Sequence, residues 1–349
     1  MSRRIRTLAC GAVPVIVLGA LVGMRHIPGT DIALTAPYAA EGPGPSFNTL
    51  GEVDGHQVVD IQGAETDATS GNLNMTTVAV RSGMSIPEVF SRWMQGDSIV
   101  PIEEVFPAGQ SEEEVQQRNA ATFAESESAA TIAAMNYLHR DVVVEVKMVL
   151  PESAASGVLS EGDRILGVDG SATPTPEDVQ ASVASHEPGE SVDIDVERVD
   201  GHRETLSVEL GEDPDHSGQP LLGVTMVSAP ADGISIDYNL KEIGGPSAGM
   251  MFSLAVIDKL SPGELNGGKF VAGTGTISPD GTVGPIGGIR HKADAAEDLG
   301  AELFLAPKEN CRELGDHKGS MTIVAVGNLD DAIAQMKAYA EGGELSTCH

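Results

Sequence analysis

Alternating apolar and polar residues predict strands along most of the chain. These strand patterns lie at 58–61, 73–80, 142–150, 164–168, 192–196, 204–210, 221–226, 233–237, 270–276, 301–305 and 321–326. Apolar residues at helical spacing predict helices at 85–94, 111–138, 175–183, 247–260 and 329–340, and a further helix that ends before Gly300. Strands and helices in mixed order indicate an α+β fold.

Three local features add to this pattern. Ser111 and Glu114 form a capping box that begins the helix at 111–138. The helix at 85–94 carries Trp93, the single tryptophan, which we expect in the core. Residues 28–45 are rich in Gly, Pro and Ala, which is typical of a linker.

An uncharged apolar stretch lies near the N-terminus. It runs for 18 residues, Thr7–Met24, between Arg6 and Arg25. A bilayer span needs roughly 17–25 such residues, and the basic cluster before the stretch orients the N-terminus to the cytoplasm. We therefore expect a membrane anchor within residues 1–30, with the bulk of the chain extracytoplasmic. A cleavable signal peptide is the alternative.

Charge and composition exclude several functions. The chain has 21 Lys and Arg against 52 Asp and Glu, a net charge of −31, which argues against nucleic acid or an anionic membrane surface as partners of the soluble part. Histidines and cysteines show no metal-ligand spacing, and we expect no metal and no cofactor. Cys311 and Cys348 lie in the part expected outside the cytoplasm, where pairing is permitted. The sequence leaves a disulfide and two free thiols open.

A turn rich in glycine and proline at 244–249 carries candidate chemistry. Pro246 suits the first position of a helix, so we expect Ser247 in the opening turn of the helix that continues to Leu260. Backbone N–H groups and the positive dipole end at such a turn can hold an oxyanion. Gly245 and Pro246 would support Ser247 by presenting its hydroxyl to a substrate carbonyl.

Lys292 is the candidate base for this serine. It lies 45 residues after Ser247, where a glycine turn leads into an apolar helix, and it can be half buried there. Burial disfavours the ammonium form and lowers the pKa of the amine. Neutral Lys292 would then accept the proton of Ser247.

Three motifs in this order resemble the proteolytic domain of Lon-type serine peptidases over about 222–311. They are Gly-Pro-Ser-Ala-Gly around Ser247, Thr274-Gly275, and Pro285-Ile286-Gly287-Gly288-Ile289-Arg290-His291-Lys292. The resemblance implies that Ser247 is the nucleophile, Lys292 the general base, and Thr274 the hydroxyl that orients the lysine amine. Gly244 and Thr276 stand where the family usually has acidic residues, which bears on the tuning of the dyad.

The stretch 142–210 resembles a bacterial PDZ domain. Its signature is a run of small residues followed by Gly162-Asp163, a strand, and the Asp169-Gly170 turn. The resemblance implies a groove beside the helix at 175–183, which binds an extended peptide by strand addition and recruits or gates substrate. A spacer that only packs on the peptidase is the alternative.

These observations divide the chain into four parts. They are an anchor at 1–30, a strand and helix region at 31–139 that packs on the peptidase domain, a PDZ-like domain at 140–212, and a Lon-type proteolytic domain at 220–349. The arrangement resembles the membrane-anchored YlbL-like peptidases of Gram-positive bacteria. No ATPase module is recognised, so the resemblance implies an ATP-independent serine endopeptidase with protein or peptide substrates. A homo-oligomer stays open.

Two other functions compete with this interpretation. One is a surface adaptor in which the PDZ-like domain binds protein tails and the Lon-like domain is only structural. The other is an α/β-hydrolase, because Gly-Pro-Ser-Ala-Gly also fits the nucleophile-elbow pattern. An elbow needs a buried strand directly before the serine and a histidine partner, and 238–243 is a poor buried strand.

Overall fold

The computed structural model describes Arg25 and residues 34–107, 110–214, 216–240, 243–315 and 319–348. The anchor expected at 1–30 lies outside the described residues, except for Arg25. No helix in the described part of the chain is long and apolar enough to cross a bilayer.

The fold is mixed α+β. The described strands are β1 (Tyr38–Asn48), β2 (Glu52–Val53), β3 (His56–Gln57), β4 (Val59–Gln62), β5 (Asn72–Arg81), β6 (Ser98–Pro101), β7 (Val142–Val149), β8 (Arg164–Val168), β9 (Ser171–Ala172), β10 (Ser191–Glu197), β11 (Arg203–Glu209), β12 (Gly211–Glu212), β13 (Pro220–Leu221), β14 (Val224–Pro230), β15 (Ser235–Tyr238), β16 (Phe270–Gly273), β17 (Thr276–Ile277), β18 (Val283–Gly284), β19 (Leu303–Pro307) and β20 (Thr322–Val326). The described helices are α1 (Ile86–Met94), α2 (Ile102–Val105), α3 (Glu112–Tyr137), α4 (Pro176–Ala184), α5 (Gly249–Leu260), α6 (Ile289–Asp298), α7 (Cys311–Leu314) and α8 (Leu329–Glu341), with a 3₁₀ turn at Lys308–Asn310.

The first sheet joins the two ends of the chain. Its strands run in the order β20, β19, β16, β5, β1 and β6. The first four strands are parallel, and β1 is antiparallel to both of its neighbours. Strand β16 pairs with only the first half of β5 and ends at Gly273, opposite Met75. Beyond that point the sheet leaves a crevice at the carboxyl end of β16, a place where α/β sheets often bind ligands.

Helices cover both faces of this sheet. Val271, Leu303 and Leu305 face a core that contains α5, with residues of α3 and α8. The next residue of each strand, Ala272 in β16 and Phe304 in β19, points to the opposite face and joins a second core that contains α6. Helix α5 is apolar on all sides and buried along almost its whole length, as expected for a central helix. The crevice at β16 therefore lies between two helical layers.

The second sheet is antiparallel and runs in the order β11, β10, β8, β7 and β14. Helix α4 covers it through Val179 and Val183. Strand β14 pairs with β7 and forms the edge of this path. The sequence pattern predicted a strand at 221–226 but not its partner, and the structure joins it to the PDZ-like strands.

Two sequence expectations are wrong. The linker predicted at 28–45 is a strand from Tyr38 onward, because its glycines allow close contact: a Cβ on Gly42 would overlap the Asp97 carboxylate. The register shift between Pro43 and Ser46 accommodates the prolines. Trp93 is 61% exposed instead of buried, because α1 turns its apolar face outward.

Other expectations are confirmed. The Ser111 hydroxyl caps α3 by accepting a hydrogen bond from the Glu114 N–H, at 3.2 Å. Helix α6 ends before Gly300, whose φ of +84° suits the residue after a helix. Cys311 and Cys348 form a disulfide with a Cα–Cα distance of 5.1 Å, which settles the alternative left open by the sequence.

Candidate active site

Ser247 lies in a turn, two residues before α5. The sequence predicted it inside the opening helical turn, and this prediction is wrong by those two residues. The reason is that the Ser247 carbonyl already accepts hydrogen bonds from the Gly275 N–H and the Thr274 hydroxyl, both at 3.0 Å. The first carbonyl that accepts a bond from the helix is that of Ala248, from the Phe252 N–H.

Lys292 lies in the first turn of α6, which packs on the face of the first sheet opposite to α5. Its N–H closes the first helical hydrogen bond to Gly288, which has the positive φ of +68°. The side chain is 3% exposed and points to the end of β16. The preceding residue, His291, is buried and hydrogen-bonds the Ser98 hydroxyl of β6 at 2.8 Å.

Three side chains from separate elements meet at this end of β16. The Lys292 Nζ donates to the Ser247 Oγ at 2.7 Å and to the Thr274 Oγ1 at 2.9 Å. Thr274 follows β16 directly and is completely buried. The structure therefore brings together the three residues that the sequence singled out, although they are far apart along the chain.

Burial lowers the pKa of Lys292 to about 8, from its usual 10.5. An ammonium group loses hydration when it is buried, so the neutral amine becomes the easier form. No described carboxylate forms an ion pair with Lys292 that would oppose this effect. The bond to Ser247 makes Lys292, and not a histidine, the partner of the serine, which removes the α/β-hydrolase alternative.

Ser247 and Lys292 line an open cleft of about 680 Å³. Apolar side chains form much of its wall. They include those of Met75, Val78, Phe123, Ile243, Pro285 and Ile286. A cleft of this size and composition can accept several residues of an extended peptide.

Three backbone N–H groups beside the serine have no backbone acceptor among the described residues. Ser247, Ala248 and Gly249 form no backbone hydrogen bond to another described residue through their N–H groups. The next N–H, of Met250, is bonded to the Gly275 carbonyl. The free donors lie at the positive end of α5, the kind of place that stabilises developing negative charge.

Two polar residues that sequence reasoning missed hold the walls of the cleft. The Ser126 hydroxyl of α3 donates to the Pro246 carbonyl at 2.9 Å. The buried amide of Asn310 bonds both the N–H and the carbonyl of Ile286, each at 2.9 Å. Neither residue has a sequence signal, because a buried serine or asparagine is recognised only by its partners in space.

The two departures from the Lon pattern fit this structure. A Cβ on Gly244 would lie 2.8 Å from the Cβ of Asn119 in α3, so a larger side chain has no room there. Thr276 lines the cleft without charge. Neither position therefore contributes a carboxylate to the cleft.

Comparison with known families agrees with the motifs. Residues 241–338, which contain Ser247, Thr274 and Lys292, match the Lon protease (S16) C-terminal proteolytic domain, and residues 121–210 match the PDZ domain. The chain carries a Lon-type proteolytic domain and a PDZ domain. The three residues that meet at the end of β16 all belong to the Lon-type domain.

Similarity to curated Lon proteases is confined to part of their length. Lon protease 2 of Herpetosiphon aurantiacus is 33% identical over 162 residues, which cover 42% of this chain and 20% of the relative. The Lon protease of Rhizobium meliloti is 36% identical over 94 residues, which cover 26% of this chain and 11% of the relative. The chain thus spans a fifth or less of the length of these relatives.

Solved structures are similar to about a quarter of the chain. A crystal structure of the PDZ domain of an SdrC-like protein from Listeria monocytogenes is 28% identical, covers 24% of this chain and 86% of that chain, and has a TM-score of 0.22. A solution structure from Geobacillus thermodenitrificans is 34% identical, with coverage of 24% and 94% and a TM-score of 0.22.

Proposed function

We propose that the chain is a serine endopeptidase in which Ser247 and Lys292 form the catalytic dyad. The observation that carries this proposal is the 2.7 Å hydrogen bond between the Lys292 amine and the Ser247 hydroxyl. Because burial lowers the pKa of Lys292 to about 8, part of the lysine is neutral near pH 7.5 and can accept a proton. The acyl transfer consumes no nucleotide, so we propose that peptide hydrolysis needs no ATP.

Acylation follows from this geometry. The lone pair of neutral Lys292 takes the proton of the Ser247 hydroxyl while the serine oxygen attacks the carbonyl carbon of a peptide in the cleft. The oxyanion that forms is stabilised by the free N–H groups at the start of α5. The C–N bond then breaks, and the Lys292 ammonium gives its proton to the departing amine. Thr274 keeps the amine pointed at the serine through its 2.9 Å bond.

Deacylation repeats the same proton transfers with water. Lys292, neutral again, takes a proton from a water molecule as that water attacks the acyl carbon. The second oxyanion collapses, the bond to Ser247 breaks, and Lys292 returns the proton to the serine oxygen. The new carboxyl end then leaves the cleft.

For the PDZ domain we propose a role in binding substrate. Strand β14 is the edge of the described PDZ sheet, and α4 lies beside it. An edge strand next to a helix suits an extended peptide that is added as a further strand. Helix α3 lies against β14 and also holds the Ser247 turn through Ser126, so it lies between the two sites.

We propose that the apolar stretch 7–24 anchors the chain in a membrane, with residues beyond about 30 outside the cytoplasm. The length and lack of charge of this stretch support a span. The disulfide between Cys311 and Cys348 supports an oxidising compartment for the catalytic part. The substrates would then be extracytoplasmic proteins.

Reaction with a fluorophosphonate probe tests the dyad directly. The full-length chain in mild detergent is compared with Ser247→Ala and Lys292→Met, and we expect both substitutions to abolish labelling. Ser253→Ala and Lys259→Met are matched controls, because they remove another buried serine and another buried lysine away from the cleft. Circular dichroism confirms that each variant is folded.

The pattern of labelling discriminates between the candidate functions. Loss in both dyad variants with retention in both controls supports the endopeptidase. Labelling that survives in folded Lys292→Met would overturn the role of the lysine. An unlabelled wild-type chain that still captures peptides through the PDZ domain would favour the surface adaptor instead.

A further inference from the structure

Helix α1 presents its apolar side to solvent. Ile86, Phe90, Trp93 and Met94 are 59%, 57%, 61% and 69% exposed, and no residue of α1 is buried. Their spacing of four, seven and eight residues places them on one side of the helix. We call these four residues the outer face of α1. The rings of Phe90 and Trp93 contact each other, with centroids 5.7 Å apart.

A capping box at its N-terminus and contacts with the first sheet hold α1 in place. Ser85 and Glu88 form a capping box, in which the Ser85 N–H donates to the Glu88 carboxylate at 2.7 Å. The helix is joined to β6, and it packs beside β1. A water-soluble surface rarely carries four large apolar residues side by side, so such a patch indicates a contact with a partner or a lipid phase.

Arg25 lies beside α1. Its guanidinium forms an ion pair with Glu88 of α1, at 3.2 Å through Nε and 2.5 Å through Nη2. In the sequence Arg25 directly follows the apolar stretch 7–24. The chain therefore reaches α1 at Arg25, the residue that follows the stretch. If the stretch spans a bilayer, α1 lies at the surface where the chain leaves the membrane.

The composition of the outer face suits that surface. Tryptophan is enriched where a membrane meets water, because its ring is apolar and its N–H is polar. Amphipathic helices lie in this interfacial layer with their apolar side toward the acyl chains. The net charge of −31 gives no electrostatic attraction to anionic lipids, so the contact must be apolar.

We propose that the outer face of α1 inserts into the interfacial layer of the bilayer that holds the N-terminal anchor. The inference rests on the proposed membrane anchoring and adds a second contact to it. The anchor and α1 together would fix the orientation of the proteolytic domain on the membrane, because a short turn joins α1 to β6 of the first sheet. A second copy of the chain is the competing occupant of this face.

The single tryptophan of the chain makes the test direct. Full-length protein is reconstituted into phosphatidylcholine vesicles, with and without lipids brominated near the top of the acyl chains, and flotation on a density gradient confirms anchoring. We expect brominated lipid to lower the Trp93 emission by about twofold or more, as expected for a ring at that depth. The lowering should be independent of salt, because the contact is apolar.

Matched variants identify the surface. Phe90→Glu with Met94→Glu leaves Trp93 in place and should abolish the quenching while the protein still floats. Val199→Glu replaces an apolar residue that is 76% exposed on the PDZ hairpin and should leave the quenching unchanged. Acrylamide access to Trp93 should rise only in the double variant.

The outcomes separate this inference from the anchor. Protein that floats but shows no quenching overturns the membrane contact and leaves the anchor standing. Protein that does not float and is not quenched overturns both proposals. A Trp93 emission that shifts with protein concentration, without lipid quenching, shows that a second copy covers the face and overturns the membrane contact.

Discussion

At the residue scale, Lys292 owes its chemistry to what surrounds it. The side chain is almost fully buried, and its described partners are two hydroxyls, those of Ser247 and Thr274. Burial disfavours the charged ammonium form, and no described carboxylate forms an ion pair that would favour it. The pKa of Lys292 therefore decreases to about 8. Gly244 and Thr276, where the Lon pattern usually has acidic residues, add no carboxylate to the cleft.

The pH dependence of activity follows from this pKa. Below pH 8 the amine is mostly protonated and cannot accept the serine proton, so kcat/KM should rise about tenfold per pH unit between pH 6 and 7 and level off above about pH 9. Peptide hydrolysis or the rate of fluorophosphonate labelling measures the profile. A midpoint near 6.5, in the ordinary range of a histidine, would contradict the lysine base.

We expect Thr274 to position the proposed dyad of Ser247 and Lys292. Thr274→Val keeps the shape but removes the hydroxyl that bonds both Lys292 and the Ser247 carbonyl. We expect kcat to decrease by about tenfold or more with little change in KM, because substrate contacts remain. Thr274→Ser should restore most of the activity. A variant in which KM alone changes would show that Thr274 acts in binding.

At the element scale, α3 holds the serine turn from outside the cleft. The Asn119 carbonyl accepts a hydrogen bond from the Gly245 N–H at 2.9 Å, and the Ser126 hydroxyl donates to the Pro246 carbonyl. These two hydrogen bonds hold the turn at Gly245 and Pro246, the two residues before Ser247. The serine is thus placed by three elements, α3, β16 and α5, and not by its own helix alone.

Ser126→Ala tests this support. The substitution leaves the Pro246 carbonyl without its described side-chain partner, at a cost of about 1 kcal/mol, so kcat should decrease roughly fivefold. Ser128→Ala is the matched control, because Ser128 lies on the same helix but lines a separate cleft, and it should leave kcat unchanged. Equal activity of wild type and Ser126→Ala in steady-state kinetics would contradict the support by α3.

The elements themselves were largely predictable from the sequence. Local patterns are sufficient for the capping box at Ser111, the strand at 73–80 and the three motifs that carry Ser247, Thr274 and Lys292. Features that depend on tertiary contacts were not predictable from local patterns. The glycines that indicated a linker lie in β1 because Asp97 packs against Gly42. Ser126 and Asn310 are polar residues whose partners lie far away in sequence.

At the scale of the whole molecule, the PDZ sheet is inserted between α3 and β15. The chain enters it at Val142, five residues after α3 ends, and leaves it at Pro230, five residues before β15. The main sheet is then completed by strands from both sides of the insertion. From the sequence, residues 31–139 are expected to pack on the peptidase domain, but periodicity does not identify the neighbours of a strand, so the pairing of β5 with β16 was not predictable.

The disulfide between Cys311 and Cys348 links the C-terminal tail to the start of α7. It joins residues 37 apart, for which chain entropy alone gives a stabilisation of about 4 kcal/mol. Cys311 also follows Asn310, which holds the Ile286 wall of the cleft. Loss of the disulfide should therefore lower thermal stability and the temperature limit of activity together.

Cys348→Ser measures this contribution. We expect its Tm to be lower than that of the oxidised wild type by about 2–4 °C per kcal/mol lost. Reduced wild type should melt like the variant, and Cys311→Ser with Cys348→Ser should add nothing further, because each change breaks the same bond. Calorimetry with and without reductant makes the comparison. Equal melting of oxidised wild type and Cys348→Ser would mean that the disulfide does not stabilise the folded protein.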